Sequence, residues 1–285
     1  MGIEFNAVQF LRYAAKRAQL GQVAMIGRQS LDISEKRLRN IMHLPADYQH
    51  LHFAEKLLID HFGAKGVESF DNSDFEGANH IEDMNKPLRN TYRPYDTIID
   101  FGCLEHIFNA PQAFKNVSEL CCEGGQILHM LPANNLCGHG FWQFSPELFF
   151  SLYSQENGYC DTEVFLADIS QEKIWHQVSR PQNGQRLELD CWARLYVLCR
   201  TRRGATFSQE NVQQSDYTVV WASKSAESSS EVINPTVIDK RRPVRRDSIS
   251  RTLGLLRLLR AGMKCDLFVR AQRPEITKRL ISSLV

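Results

Sequence analysis

The chain has 285 residues, of which 43% are hydrophobic, 10% aromatic and 24% charged. These values are typical of globular proteins, so a mini-protein and a disordered chain are both excluded. Formal charges nearly cancel, with 34 Lys and Arg against 33 Asp and Glu, and we therefore expect no nucleic-acid partner. The charge is unevenly distributed, because the segment from Lys240 to Val285 has thirteen basic and three acidic residues.

The eight cysteines do not predict a disulfide scaffold. They are spread over a long chain, Cys121 and Cys122 are adjacent, and the sequence shows neither a secretory leader nor an apolar run of membrane-spanning length. We therefore expect reduced thiols and a cytoplasmic protein.

The first third of the chain alternates helical and strand patterns. Apolar residues at helical spacing favour helices, and short apolar runs closed by glycine favour buried strands. In chain order, the sequence predicts a helix over 7–20, a strand over 22–27, helices over 34–42 and 53–62, and strands over 67–70 and 79–82.

The remaining elements continue this alternation and then change to strands alone. The sequence predicts a strand over 95–101, a helix after Asn109, a strand over 126–131, a helix over 148–155, and strands over 159–167, 190–200 and 217–222. Strands that alternate with helices predict a parallel sheet covered on both faces, and late strands without an intervening helix predict an antiparallel edge. The expected fold class is therefore α/β, with a doubly wound and mostly parallel sheet.

Composition divides the chain into four predicted parts. These are an N-terminal helix (1–21), the main domain (22–205), an edge strand with a Ser-rich linker (206–231) and a basic tail (232–285). Within the tail, residues 248–263 have an amphipathic helical pattern. We expect this helix to pack on the domain, and peripheral contact with an anionic membrane or a partner protein is the alternative. We also expect that the tail can be removed without unfolding the core.

Motifs in the middle of the chain resemble one known family. The stretch from Tyr95 to Ile107 (YDTIIDFGCLEHI) is followed by the turn Glu123-Gly-Gly125, a strand that ends at Pro132 and a helix start at Phe144-Ser-Pro-Glu147. This order resembles class I S-adenosylmethionine-dependent methyltransferases over residues 22–200. The resemblance implies a Rossmann-like methyltransferase fold and S-adenosylmethionine as the cofactor.

The loop after the first strand only partly matches that family. The family carries a Gly-x-Gly-x-Gly loop there, which lets the backbone approach the amino-acid end of the cofactor. Gly27 matches the first glycine, whereas Gln29 and Leu31 stand at the other two positions. The resemblance implies a cofactor contact at Gly27. The alternative is that the Gln29 side chain closes the site.

Acidic residues follow three successive strands. Asp71 stands where a carboxylate can accept both ribose hydroxyls, Asp83 and Met84 match residues that the family presents to adenine, and Glu105 matches a position in the cofactor pocket. We expect Asp71, Asp83 and Glu105 to meet in one cleft. The alternatives are local turns at Asp71 and Asp83 and a helix cap at Glu105.

The segment after Pro132 is expected to form the acceptor side of the pocket. His139 lies between two glycines, and an accessible imidazole can act as a general base near neutral pH. The residues predicted to bind the acceptor are Asn134, Asn135, Phe141, Trp142 and Gln143. The alternative is a tight turn with packed aromatic rings. His106 is interpreted as a surface or packing residue. No Cys-x-x-Cys or His-Glu-x-x-His pattern is present, so the sequence predicts no metal site.

The resemblance implies methyl transfer from S-adenosylmethionine to a small molecule or a saccharide, with surface-glycan biosynthesis as the expected setting. The alternative is an inactive methyltransferase-like protein that binds or recruits a partner. A nucleotide or nicotinamide enzyme is disfavoured, because Gly-x-Gly-x-x-Gly is missing.

Overall fold

The fold is organised around one nine-stranded sheet in the residues that the computed structural model describes, which are 2–49, 51–187, 189, 191–228 and 276–285. The strand order is β3-β2-β1-β4-β5-β8-β6-β7-β9. The strands are β1 (Gly21–Ile26), β2 (Ala64–Asp71), β3 (His80–Ile81), β4 (Tyr95–Phe101), β5 (Cys121–Asn134), β6 (Tyr159–Asp168), β7 (Ile174–Val178), β8 (Leu195–Arg203) and β9 (Ile276–Leu280).

The sheet has a parallel half and an antiparallel half. Strands β3, β2, β1, β4 and β5 pair in parallel, and β8 lies antiparallel between β5 and β6. Strands β7 and β9 extend the sheet with further antiparallel pairs. The predicted doubly wound α/β sheet, parallel in its core and antiparallel toward one edge, is confirmed. The carboxyl ends of β1, β2 and β4 lie side by side, where open α/β sheets bind ligands.

Helices cover both faces of the sheet. They are α1 (Phe5–Ala15), α2 (Glu35–Met42), α3 (Glu55–Phe62), α4 (Ala110–Leu120), α5 (Pro146–Leu152), α6 (Ser215–Ser228) and α7 (Ile281–Leu284). Apolar residues of α1, α2 and α3 form one core cluster, and those of α4 and α5 form a second on the opposite face. The N-terminal helix is part of this domain, because Asn6 of α1 accepts a hydrogen bond from the Trp175 indole at 3.0 Å. No described helix has the length and apolarity needed to cross a membrane.

Strand β4 shows why the parallel half is stable. Six of its seven residues are buried, and Ile98 belongs to one core cluster while Ile99 and Phe101 belong to the other. A strand buried on both faces needs such a pattern. Strand β4 therefore provides a rigid base for the loop that follows it.

The predicted edge strand over 217–222 is wrong, because this segment lies in helix α6. Val219 and Val220 favour a strand, but the backbone N–H of Ser215 donates to the Glu147 carboxylate at 2.8 Å where α6 begins. Tyr217 and Trp221, four residues apart, stack with ring centroids 5.9 Å apart. Tertiary contacts thus override the local preference. The sequence missed β7, and β8 begins at Leu195, later than predicted.

The end of the predicted basic tail belongs to the sheet. Strand β9 pairs with β7 from Val178↔Ile276 to Ile174↔Leu280, and Ile281 is 2% exposed in a core cluster. The prediction of a separate tail is therefore wrong for residues 276–285. Strand β6 pairs with only one edge of β7, and β9 satisfies the backbone N–H and C=O groups of the other edge. The predicted helix over 248–263 lies outside the described residues.

Candidate active site

A cavity of about 280 Å³ lies at the carboxyl ends of β1, β2 and β4. Four residues predicted to contact the cofactor, Gly27, Asp71, Asp83 and Met84, line it. The other lining residues, which the sequence did not assign to the cofactor, are Arg28, Gln29, Phe70, Asn72, Glu76, Glu82, Asn85, Cys103, His106 and Ile107. The fold thus brings together positions that are more than fifty residues apart in the chain.

The loop after β1 is a turn stabilised by the Gln29 side chain. Gly27 has φ +71°, and its N–H donates to the Phe70 carbonyl at 2.8 Å. Gln29 Nε2 donates to the carbonyls of Ile26 and Gly27 at 3.0 and 3.3 Å. Gln29 is fully buried, and its Oε1 has no hydrogen-bond partner among the described residues. Leu31 packs in a core cluster instead of lining the cavity.

Asp71 and Asp83 line the cavity and also open local turns. Asp71 Oδ1 accepts from the Asn72 N–H at 2.7 Å. Asp83 Oδ1 accepts from the Asn85 N–H and amide, and Asp83 forms an ion pair with Lys86. The Asn85 and Lys86 hydrogen bonds lower the pKa of Asp83 to about 2. Both carboxylates face the cavity with these turns in place, and their cofactor roles stay predictions.

A buried polar chain fixes the loop that follows β4. Asp100 Oδ1 accepts from the N–H groups of Cys103 and Leu104 at 3.1 and 3.3 Å. Its other oxygen lies 2.7 Å from His129 Nδ1, and His129 Nε2 lies 2.6 Å from the Tyr153 hydroxyl. The side chains of Asp100, His129 and Tyr153 are buried, so these hydrogen bonds support the loop from the protein interior. The sequence carried a signal for it, because Asp100 and His129 interrupt apolar runs that pair in register.

Glu105 does not line the cavity, and the predicted convergence with Asp71 and Asp83 is wrong for this residue. A 3₁₀ turn over Leu104–His106 leaves Glu105 with no exposed surface, whereas His106 does line the cavity. Neither carboxylate oxygen of Glu105 has a hydrogen-bond partner among the described residues. Burial, followed by the charge of Asp100, raises the pKa of Glu105 to about 8.

The segment with the predicted base packs directly on Glu105. The N–H groups of Phe141 and Trp142 donate to the Glu105 carbonyl at 2.7 and 3.3 Å. Gly140 has φ +94°, and a Cβ there would lie 2.7 Å from the same carbonyl oxygen, so only glycine fits. His139 Nε2 consequently lies 3.5 Å from Glu105 Oε1. The His106 ring centroid is 5.7 Å from that of His139.

The predicted acceptor residues divide into two groups. The amides of Asn134 and Asn135 donate to the carbonyls of Cys191 and Ala193, and Gln143 Oε1 accepts from the Leu136 N–H. These three side chains stabilise the segment itself, because their amide groups bond backbone atoms.

Phe141 and Trp142 form the second group, which is exposed. They are 67% and 39% exposed, and their rings lie 6.1 and 6.4 Å from that of Phe108. We call Phe108, Phe141 and Trp142 the aromatic rim. Trp142 and Gln143 also border a groove of about 440 Å³. Its other lining residues are Ala110, Pro111, Phe114, Phe144, Ser145, Leu148, Leu152, Gln209 and Val212.

No protein-family model and no curated protein match the sequence. Among solved structures, the N-methyltransferase NodS from Bradyrhizobium japonicum WM9 aligns with 69% of this chain and 93% of its own, at 16% identity and a TM-score of 0.38. NodS in complex with S-adenosyl-L-homocysteine aligns with 69% of this chain and 84% of its own, at 13% identity and a TM-score of 0.38. An S-adenosylmethionine-dependent methyltransferase from Clostridium acetobutylicum aligns with 72% of this chain and 76% of its own, at 11% identity and a TM-score of 0.27.

Proposed function

We propose that this protein transfers a methyl group from S-adenosylmethionine to a small molecule or a saccharide. The observation that carries the proposal is the cavity at the carboxyl ends of β1, β2 and β4. It is lined by Gly27, Asp71, Asp83 and Met84, four of the five residues that the sequence motifs assign to the cofactor. Their occurrence on three separate loops around one cavity supports a shared ligand.

The polar groups of the cavity fit this cofactor. Gln29 Oε1 is a buried acceptor without a partner beside Gly27, and the α-amino group of S-adenosylmethionine is a donor. The Asp71 carboxylate can accept from the ribose hydroxyls, and Met84 offers an apolar contact to adenine. Bound there, the cofactor would supply an electrophilic methyl group, and the protein would align it with the acceptor.

The acceptor would bind between His139 and the aromatic rim. Exposed aromatic faces pack well against the C–H faces of a sugar ring, which supports a saccharide acceptor. In this proposal His139 is the catalytic residue that contacts the acceptor, Phe141 and Trp142 bind it, and Asn134, Asn135 and Gln143 shape the loop. Surface-glycan biosynthesis remains the proposed setting.

An inactive scaffold is the second candidate. The observation that favours it is the fully buried Gln29 side chain at a position where the family has glycine. That side chain lines the cavity and reduces the space beside Gly27. A scaffold would use the same cleft, or the basic tail, to bind a partner protein.

Titration calorimetry with S-adenosylmethionine and S-adenosylhomocysteine separates the two candidates. The methyltransferase proposal predicts saturable one-to-one binding of both ligands by the full chain, with a Kd of about 1 to 100 μM, or −8 to −5 kcal/mol. Absence of binding at ligand concentrations near 1 mM would leave the scaffold as the better candidate.

A further inference from the structure

Three potential metal ligands meet beside the cavity. His139 Nε2 and His106 Nε2 lie 3.5 and 3.9 Å from Glu105 Oε1. One ligand atom from each of the three residues lies within 4.8 Å of the other two. Two atoms that each ligate one ion at roughly 2.1 Å are at most about 4.2 Å apart, so both measured separations fit a single ion.

Glu105 supplies an independent reason to expect a cation. Its side chain has no exposed surface, and neither of its oxygens has a hydrogen-bond partner among the described residues. A buried carboxylate without partners is unfavourable, and buried charges in proteins are normally paired or bound to metal. The two imidazoles closest to it are the remaining ligands of the cluster.

The backbone holds the three ligands in place. Glu105 and His106 lie in a 3₁₀ turn that Asp100 fixes through the N–H groups of Cys103 and Leu104. His139 lies on the segment whose Phe141 N–H donates to the Glu105 carbonyl. The site is therefore organised by hydrogen bonds that do not involve the ligand atoms.

We propose that Glu105, His106 and His139 bind one divalent cation of the first transition series beside the cofactor cavity. Two imidazoles and one carboxylate suit Mn²⁺, Fe²⁺, Co²⁺ or Zn²⁺, whereas Mg²⁺ and Ca²⁺ prefer oxygen ligands alone. The side chains of His106 and His139 are 45% and 43% exposed. Three protein ligands on one side leave coordination positions open to a substrate.

The consequence for catalysis rests on the proposed function. His106 lines the cofactor cavity and Phe141 belongs to the aromatic rim, so the cation would lie between cofactor and acceptor. With His139 as a ligand of the cation, the cation would replace this imidazole in activating the acceptor. An acceptor hydroxyl that ligates the cation would lose its proton to solvent more readily. Its oxygen would form a bond with the methyl carbon while the carbon–sulfur bond of the sulfonium breaks, which leaves the thioether. The acceptor class is therefore a hydroxyl-bearing molecule.

Cobalt binding to the full chain tests the site without S-adenosylmethionine. Metal-free protein is titrated with Co²⁺ and followed by calorimetry, by the visible absorption of the cation and by thermal unfolding. We expect one equivalent to bind and Tm to rise by about 5 °C when Co²⁺ is near 100 times Kd. Glu105→Gln, His106→Ala and His139→Ala should each weaken Co²⁺ binding at least about a hundredfold. Loss of a residue that only hydrogen-bonds to a metal ligand weakens binding by about ten- to a hundredfold, so a loss of this size or more indicates a direct ligand.

His61→Ala is the matched control, because His61 in α3 lies outside the cluster. It should bind Co²⁺ like the wild type. Both cluster histidines are half-exposed, so their alanine variants should retain the cooperative unfolding transition of the metal-free protein. The site is overturned if the wild type binds no Co²⁺, or if the cluster variants bind it as tightly as His61→Ala does. It is also overturned by an intense thiolate-to-cobalt charge-transfer band, which would assign the cation to a cysteine such as Cys137.

The two proposals fail separately in these measurements. Cobalt binding without binding of S-adenosylmethionine would refute the methyltransferase and keep the cation site. Binding of S-adenosylmethionine without cobalt binding would refute the cation site and keep the methyltransferase.

Discussion

At the scale of single residues, Gly138 and Gly140 allow a direct test of how closely the His139 segment packs on Glu105. Both have positive φ, +87° and +94°. A Cβ at Gly138 would have no neighbour within 4 Å, whereas one at Gly140 would meet the Glu105 carbonyl oxygen at 2.7 Å.

Alanine at these two positions should therefore have different effects on stability. Gly138→Ala should lower the free energy of unfolding by about 1 to 2 kcal/mol through backbone strain alone. Gly140→Ala adds a backbone clash and should cost about 1 to 3 kcal/mol more. Urea denaturation of both variants measures the difference. Equal losses would contradict the close approach of the two segments.

Sequence reasoning predicted part of the cavity lining because chain order was informative. Asp71, Asp83 and Met84 follow successive strands, and parallel strands place their carboxyl ends at one edge. The Glu105–His139 pair could not be found in this way, because it depends on a 3₁₀ turn and on a loop closed by backbone hydrogen bonds. The Asp100–His129 pair could have been predicted, since both residues interrupt apolar stretches of strands that pair in register.

At the scale of elements, Glu68 connects strands of the parallel half. Its carboxylate on β2 accepts from the Tyr95 hydroxyl on β4, and it lies 2.6 Å from Arg93 Nη2 and 2.8 Å from His80 Nε2. The Tyr95 hydrogen bond is the main cause that lowers the pKa of Glu68, and the His80 and Arg93 contacts contribute in the same direction.

The pKa of Glu68 is lower in the folded protein than in the unfolded chain, where it is near 4.3. Ionised Glu68 therefore stabilises the folded state at pH values above the unfolded pKa. This contribution is lost as the pH falls through the folded pKa. Glu68→Gln should lower the free energy of unfolding by about 1 kcal/mol at pH 7, a modest effect because the site is partly exposed. The difference from wild type should shrink as pH falls below the unfolded value and vanish once pH is below the lowered folded value. Exposed Glu123→Gln is the control, and a Glu68→Gln deficit that persists at low pH would contradict the assignment.

Secondary structure was predictable where burial and local pattern agree. Strand β4 matches its prediction over 95–101, since all of its residues except Asp96 are buried. Helix α6 was mistaken for a strand, because Val219 and Val220 favour β structure locally while the contacts of Ser215 and Tyr217 favour a helix. The Ser215 contact with Glu147 comes from a distant part of the chain and leaves no local signal.

At the scale of the whole molecule, the C-terminal residues contribute to the core. Ile281 is 2% exposed, whereas Ile59 on α3 is 45% exposed. Ile281→Ala should lower the free energy of unfolding by about 2 to 4 kcal/mol, and Ile59→Ala by less than about 1 kcal/mol. Thermal and urea unfolding check this expectation. An Ile281→Ala loss no greater than that of Ile59→Ala would show that the tail is dispensable for the core.

The composition shift predicted a separate basic tail, and the fold explains why that prediction was incomplete. The net charge of a segment does not predict where a five-residue strand within it will pair. Pairing depends on an open sheet edge in another part of the chain. Strand β7 supplies that edge, and the sequence did not reveal β7. The overall α/β architecture was predictable, because the alternation of helices and strands extends over most of the chain.

The cavity at the carboxyl ends of β1, β2 and β4 is the proposed binding site for S-adenosylmethionine. The most direct test compares Asp71→Asn, which changes a lining residue, with Asp74→Asn, an exposed residue of the same loop outside the cavity. Calorimetry with S-adenosylhomocysteine should show a Kd that is about ten- to a hundredfold weaker for Asp71→Asn and unchanged for Asp74→Asn. Equal affinity of wild type and Asp71→Asn, or an equal loss in both variants, would contradict the assignment.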